Sequence, residues 1–178
     1  IGLEHTAILG HTLPEIAREK AGVIKPGTTA VTYPVNAAVD AVYREICAGR
    51  GAAWRPVRFD ALRERAHSLA GQRFDYKEEK DLTLHLLGEH QLHNAALAIE
   101  TIGVLREKGW SIPESALREG LSAARWEARF ELLRAHPTVI ADGAHNPQCV
   151  EALARSLDEY LPGEKVIFLL GVLADKDY

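Results

Sequence analysis

The alternation of amphipathic helices with short apolar strands in the first sixty residues most constrains the fold. Apolar residues recur at helical spacing from Leu13 to Val23, and after a Pro-Gly pair TTAVTYP reads as a short buried strand. A second helix is predicted from Asn36 to Gly49, and AAWRPVRF returns as a strand. Because strands connected through helices usually lie parallel, this order predicts a parallel sheet with crossover helices and an α/β fold.

The middle of the chain combines a charged hairpin with the strongest helical pattern. Residues 61–71 are polar and are predicted to be irregular, whereas residues 72–90 predict two strands joined by a charged turn. A helix is expected from Asn94 to Lys108, closed by Gly109, and another from Ile112 to about Ala124. These elements extend the α/β pattern.

The character of the sequence changes after Trp126. RFELLRAHPTVIADGAHNP predicts two strands, and a helix from Gln148 to about Tyr160 and a strand EKVIFLLGV follow. We interpret this order as the opening of a βαβ unit and place a domain boundary near Glu127. In such folds ligands bind outside the carboxyl ends of the strands.

Composition and charge argue against several classes of protein. The chain has 178 residues, 47% of them hydrophobic, and can bury a sizeable core. A net charge of -4 with interleaved acids and bases disfavours generic binding to nucleic acid or anionic membranes. The longest apolar runs are about half the roughly 20 residues of a membrane helix. Two distant cysteines without CxxC spacing indicate a reduced, cytoplasmic setting.

The first candidate site combines His5 and Glu4 with Lys20. A neutral imidazole suits a divalent metal, and a lysine on the following helix can reach a phosphate or be modified. The alternative is a histidine at a strand end and a solvated lysine at a helix C-terminus, where the dipole favours a cation. Spacing alone favours this alternative.

The second candidate site lies in GEHQLHNAALAIE. His90, Gln91, His93 and Asn94 cluster at a predicted helix start, whose free amides and positive dipole end suit an anion. The HxxH spacing has no matching third zinc ligand, and HExxH is absent. Asn94 or a neighbour can instead cap the helix, and residue type does not decide between the two roles.

The third candidate site joins Arg129 to the loop from Asp142 to Pro147. An acid at the carboxyl end of a strand can accept hydrogen bonds from ribose hydroxyls, and an arginine can pair with phosphate oxygens. In the alternative, Asp142 caps a turn, Gly143 bends it and Pro147 starts the next helix. Several turn-competent polar residues after a buried strand slightly favour function.

Four motifs along the chain resemble one family. IGLEHTAILGHTLPEIAREKAGVIKPG is similar to the segment of folylpolyglutamate synthases and bifunctional dihydrofolate synthases that reads Gly-Leu-(Asp/Glu)-His, Leu-Gly and Ile-Ala-x-Glu-Lys-Ala-Gly-Ile. GEHQLHNAALAIE resembles their Gly-x-His-Gln-x-x-Asn-Ala segment. WEARFE with ADGAHNP resembles Gly-Arg-x-Glu with Asp-x-Ala-His-Asn-Pro, and GVLADKDY resembles an Asp-Lys-Asp segment. Their shared order makes a chance match implausible.

The resemblance implies two domains of a Mur-type ligase. Residues 1–126 would be the later part of a P-loop-type central ATPase domain, and residues 127–178 the start of a Rossmann-like C-terminal domain. The implied enzyme uses ATP and Mg2+ to join L-glutamate to folate or dihydropteroate through an acyl phosphate. A monomer without nucleic-acid or membrane partners is expected.

The resemblance also implies a role for each candidate residue. In the order of the chain, these are a magnesium ligand at His5, a carbamylated catalytic lysine at Lys20, a nucleotide contact at Asn94, a phosphate contact at Arg129, a ribose contact at Asp142 and a catalytic histidine nearby at His145.

Two departures from the family pattern matter. Glu127-Ala128 replaces the usual Pro-Gly before Arg129, and an alanine there could hinder a close backbone approach. The GxxxxGK[ST] loop that cradles triphosphate is absent, so the chain is expected to be an internal piece of the enzyme and inactive alone. A muramyl or cyanophycin-type ligase and a non-catalytic nucleotide-binding module remain the alternatives.

Overall fold

A computed structural model of the protein describes residues 10–171. The described helices are α1 (Leu13–Lys20), α2 (Ala37–Gly49), α3 (Glu89–Glu107), α4 (Glu114–Ala123) and α5 (Pro147–Tyr160). The described strands are β1 (Thr29–Thr32), β2 (Ala53–Pro56), β3 (Leu62–Ser68), β4 (Gly71–Tyr76), β5 (Glu79–Leu84), β6 (Glu131–Ala135) and β7 (Thr138–Ala141). Short 3-10 helices lie at Ala21–Val23 and Phe59–Ala61. The predicted α/β composition is confirmed.

The chain divides into two compact units. Among the described residues, the first unit takes in residues 10–60 and 96–111, and the second takes in residues 61–95 and 112–171. Helix α3 therefore contributes its first turns to the second unit and its remainder to the first. The domain boundary near Glu127 stays a prediction.

The first unit has the predicted parallel arrangement. Helix α1 begins with a capping box, in which Thr12 Oγ1 accepts the Glu15 N–H at 3.4 Å and Glu15 Oε2 accepts the Thr12 N–H at 3.0 Å. Strands β1 and β2 pair in parallel from Thr29 opposite Ala53 onward. Helix α2 connects them and packs against α1 through buried apolar residues that include Val39. The crossover prediction is thus confirmed.

The first sheet of the second unit corrects one prediction. Strands β3, β4 and β5 form an antiparallel sheet in that order, and β4 and β5 are the predicted hairpin. Residues 61–71 are not irregular as predicted, because most of them form β3. The pattern LRERAHS is polar because β3 is exposed along almost all of its length. Backbone pairing with β4 and an ion pair between Arg65 and the buried Asp75 hold this strand instead of a hydrophobic face.

Helix α3 begins earlier than predicted. Its first residue is Glu89 rather than Asn94, and the preceding Gly88 has a φ of 96°. The Gly88 carbonyl accepts the Gln91 N–H at 2.9 Å, so the first turn is already closed before Asn94. The prediction missed this because His, Gln and Glu in the first turn do not show an apolar period.

The last part of the described chain forms an antiparallel hairpin and a helix. Strand β6 pairs with β7 from Glu131 opposite Ala141 to Ala135 opposite Thr138. Helix α5 begins where predicted, capped by Asn146, whose Oδ1 accepts the Cys149 N–H at 2.8 Å.

The predicted strand EKVIFLLGV is wrong for the residues that the structure describes. Residues 164–171 contain no strand, and the side chains of Ile167 and Leu169 are almost completely exposed. An apolar run becomes a buried strand only when a neighbour pairs with it, and within residues 10–171 it has none. The predicted βαβ unit is therefore not formed in this part of the chain.

No helix within residues 10–171 has both the length and the hydropathy that a membrane span requires.

Candidate functional site

The start of α3 and the ends of the β6–β7 hairpin lie together in the second unit. The side chain of His90, in the first turn of α3, is half-buried. Asp142, Arg129 and Arg155 all act electrostatically on its imidazole. The structure thus brings the second and third candidate sets to one place, although more than thirty residues separate them in the chain.

Asp142 links the two segments of the hairpin end. Its Oδ2 accepts the Phe130 N–H at 2.7 Å, and its Oδ1 accepts the Ala144 N–H at 2.7 Å. The proposed capping role of Asp142 is therefore present, and it fixes the backbone on the C-terminal side of Arg129. A carboxylate has about four acceptor positions, so these two hydrogen bonds leave capacity for a ribose hydroxyl.

Backbone contact between the two segments is close at Ala128. The Ala128 carbonyl accepts the Gly143 N–H at 2.8 Å, and a Cβ on Gly143 would lie 3.4 Å from that oxygen. Ala128 itself has a φ of 52°, in the left-handed region that disfavours residues with a Cβ. This conformation explains physically why a glycine suits position 128.

The loop after Asp142 presents His145 to solvent. Its Nδ1 lies 2.8 Å from the carbonyl oxygen of Gly143, so a neutral ring that donates this hydrogen bond keeps Nε2 as an acceptor. Asn146 caps α5, and Pro147 is its first residue. The turn interpretation of these residues is confirmed, and His145 remains accessible to a ligand.

Asn94 lies inside α3 and does not cap it, so the capping alternative for this residue is wrong. Its Nδ2 donates to Gln91 Oε1 at 3.2 Å, and the residue is exposed. Gln91 is itself buried, and its Nε2 lies 3.2 Å from His90 Nε2. A short row of polar side chains therefore runs from the first turn of α3 to Asn94.

Burial lowers the pKa of both histidines at the start of α3, which favours their neutral forms. Burial is the largest contribution to the lowered pKa of His90. Arg129, Arg155 and His93 lower it further, while Asp142 opposes them. Burial likewise lowers the pKa of His93, against the carboxylate of Glu89. At neutral pH the positive charge near an anion therefore comes from the arginines and the helix end, not from the histidines.

Sequence reasoning missed Arg155, Tyr160 and Gly88. Arg155 and Tyr160 lie on α5, where their pattern is that of an ordinary amphipathic helix, and only the tertiary fold brings them to α3. Gly88 carried a signal, because a glycine directly before a polar helix start often marks a positive φ.

The first candidate set is only partly within the described residues. His5 lies outside them, so its proximity to Lys20 is not described. Lys20 is exposed at the last position of α1 and lines a cavity of about 530 Å³ with Tyr33 and Tyr43. The dipole of α1 favours a cation there, in line with the alternative interpretation of this lysine.

One group with metal-ligand geometry lies elsewhere in the second unit. Among the described residues, ligand atoms of Glu64, His67 and Glu159 lie within 4.8 Å of one another. The imidazole of His67 pairs with Glu64 and lies 3.4 Å from Glu159. Glu159 is partly buried and the other two residues are exposed, and none of the predicted site residues belongs to the group.

Comparison with known proteins relates the whole chain to one kind of enzyme. A family model described as the Mur ligase, glutamate ligase domain matches residues 128–178. The folylpolyglutamate synthase of Lacticaseibacillus casei is 36% identical over 100% of this chain and 43% of its own length. The dihydrofolate synthase/folylpolyglutamate synthase of Bacillus subtilis is also 36% identical, again over 100% of this chain and 43% of its own.

Solved structures give the same relationship. A mutant of L. casei FPGS matches with a TM-score of 0.86 at 32% identity, over 97% of this chain and 44% of that one. An FPGS-AMPPCP-folate complex matches with a TM-score of 0.81 at 34% identity, over 89% of this chain and 40% of that one. The chain spans less than half the length of these relatives.

The strained backbone at Ala128 predicts a stabilising substitution. Ala128→Gly should raise the free energy of unfolding by about 0.5–1 kcal/mol, because relief of a left-handed alanine outweighs the added chain entropy. Urea unfolding followed by circular dichroism measures this. Ala70→Gly, in an exposed turn without positive φ, should destabilise instead. A loss of stability in Ala128→Gly would contradict the described conformation.

The lowered pKa of His90 predicts a loss of stability in mild acid. The unfolded state, with a histidine pKa near about 6.5, binds protons before the folded state does. The stability that neutral His90 contributes is thus complete above about pH 6.5 and is lost as pH falls through its lower folded pKa.

Urea midpoints at about pH 7.5 and about pH 5.5 test this prediction. The midpoint should fall in the wild-type chain and fall less in His90→Gln, in which His93 still contributes to the fall. His11→Gln, exposed in the first unit, is the control and should behave like wild type. Equal falls in wild type and His90→Gln would overturn the assignment.

Proposed function

We propose, from the premise that this chain is homologous along its whole length to a segment of the folylpolyglutamate and dihydrofolate synthases, that it forms part of an ATP-dependent ligase. The ligase would join L-glutamate to folate or dihydropteroate, in the cytoplasm and as a monomer. The two free cysteines of the described chain support a reducing compartment. The observation that carries the proposal is the packing of Leu87, just before α3, against Phe130 of the hairpin end, whose N–H donates to Asp142.

The proposed reaction has two steps. The substrate carboxylate attacks the γ-phosphorus of ATP, so that an acyl phosphate forms and ADP leaves. The amine of glutamate then attacks the acyl carbon, and the resulting tetrahedral intermediate expels phosphate as the amide forms. Both steps gather negative charge on oxygen, and positioned cations and hydrogen-bond donors lower their barriers.

The second unit would supply the nucleotide contacts. Arg129 lies between Ala128 and Phe130, whose backbones are hydrogen-bonded to Gly143 and Asp142, so its Cα is held in place and its guanidinium would pair with phosphate oxygens. Asp142 keeps acceptor capacity for the ribose, and Asn94 would contact the nucleotide from α3. His145, with an accessible Nε2, would lie beside the phosphates and act in proton transfer.

The magnesium site is proposed on His5 and Lys20. Mg2+ is a hard cation that prefers oxygen ligands, which an unmodified lysine does not offer. Carbamylation converts the ammonium group into a carboxylate-like group with two oxygens. With that group the end of α1 fits the ion; without it Lys20 does not. Bound Mg2+ would neutralise charge on the transferred phosphoryl group.

Nucleotide binding by the 178-residue chain tests the proposed site. Calorimetric titration with AMPPCP should show binding, and Arg129→Ala should weaken it by about 10- to 100-fold, the loss of a charged hydrogen-bond donor. Arg134→Ala removes a nearby exposed arginine of β6 and should leave the affinity unchanged.

The outcomes separate the site from the activity. Equal affinities for wild type and Arg129→Ala would remove Arg129 from the site, and no binding by a folded chain would refute the proposal that the second unit holds a nucleotide by its own contacts. Because GxxxxGK[ST] is absent from the sequence, no ATP-dependent glutamate ligation is expected in the same preparations.

Carbamylation of Lys20 has its own test. Intact mass spectrometry at neutral pH with added bicarbonate should show one added carbamate group on the wild-type chain. Lys25→Arg, five residues beyond the end of α1, should keep that addition, and Lys20→Arg should lose it. An unmodified mass under these conditions would remove Lys20 from the proposed magnesium site.

A further inference from the structure

We infer that Tyr160 is a positioning residue for nucleotide binding, since its hydroxyl holds the amide of Gly88 and thereby the first turn of α3. The inference rests on the proposed function of this site. Tyr160 is the last residue of α5 and lies far in the chain from α3. It carries no motif, and its role is visible only in the fold.

The hydrogen bond between these residues is buried. The Gly88 N–H donates to the Tyr160 hydroxyl oxygen at 3.1 Å, and only 9% of Tyr160 is exposed. Gly88 directly precedes α3, so its amide belongs to the free N–H groups at the helix start. A buried N–H without an acceptor is costly, which makes this hydroxyl the group that allows the helix to begin here.

Gly88 is held from its other sides as well. Its carbonyl accepts Gln72 Nε2 at 3.2 Å in addition to the Gln91 amide. A Cβ on Gly88 would lie 2.7 Å from Ser156 Oγ, so the backbone of this residue lies directly against α5. With a φ of 96° and contacts on three sides, Gly88 has one backbone position, and Tyr160 is one of the groups that set it.

The ring of Tyr160 connects this position to the hairpin end. Its centroid lies 5.6 Å from that of Phe130, whose N–H donates to Asp142. On another side it lies 5.0 Å from the ring of His67. Tyr160 therefore contacts both halves of the proposed site, the start of α3 and the turn that carries Arg129.

The protonation state of Tyr160 suits this role. Burial raises the pKa of the Tyr160 hydroxyl above its usual range, although the Gly88 amide opposes the shift. The phenol is therefore neutral throughout the physiological range and keeps its lone pairs for the Gly88 N–H. Without the hydroxyl, the first turn of α3 would open to water to satisfy this amide, and fewer molecules would be ready to bind.

The test uses Tyr160→Phe in the 178-residue chain, because phenylalanine keeps the ring and removes only the hydroxyl. The dissociation constant for AMPPCP should rise about tenfold, as expected when about one molecule in ten has the binding conformation. Hydrogen exchange of the Gly88 amide, followed by nuclear magnetic resonance, should become faster. Ser122→Ala, which also removes a single hydrogen-bonded hydroxyl but in α4, should change neither quantity.

The results distinguish this inference from the proposed function. If the folded wild-type chain does not bind AMPPCP, the proposed nucleotide site of the second unit fails, and so does the inference that rests on it. If wild type binds and Tyr160→Phe binds equally well, only the positioning role is overturned.

If the Tyr160→Phe chain does not fold, hydrogen exchange in the wild-type protein tests the inference instead. Slow exchange of the Gly88 amide that becomes slower still with bound AMPPCP supports the inference. An unprotected amide, or one whose protection does not change with the nucleotide, overturns it.

Discussion

The geometry of the candidate site depends on the two hydrogen bonds that the Asp142 carboxylate accepts from Phe130 and Ala144. Charged acceptors make the stronger hydrogen bonds in proteins, and here one side chain satisfies amides from two separate segments. Arg129 lies directly beside one of these amides, and His145 follows the other. Beyond the end of the β6–β7 pairing at Glu131 and Ala141, the hydrogen bond from Gly143 to Ala128 connects the same two segments.

The parts of the fold that follow from local rules could be predicted from the sequence. Thr12 with Glu15 and Asn146 before Pro147 mark helix starts through side-chain hydrogen bonds that neighbouring residues alone determine. Strand β3 could not be predicted, because its exposed polar residues carry no period and its pairing partner determines it. The apolar run of residues 164–171 shows the reverse case, in which a strand-like pattern lacks a partner in the described chain.

The site divides in the same way. Asp142 and His145 could be identified because turn chemistry and a strand end place them in a short loop, and the described geometry has them there. That Asp142, Arg129 and His90 share one electrostatic environment is a tertiary fact that no local pattern contains. The role of Tyr160 could not be predicted either, because no local sequence pattern distinguishes a tyrosine near the end of an amphipathic helix.

The structural and functional interpretations of these residues do not exclude each other. The Asp142 carboxylate accepts two backbone hydrogen bonds that fix the turn. The same two hydrogen bonds orient its remaining acceptor positions. A nucleotide site needs such fixed groups, because a contact that is already positioned costs less ordering when the ligand binds. A side chain that holds a turn is therefore well suited to contact a ligand as well. The capping role of Asp142 supports its proposed contact with the ribose.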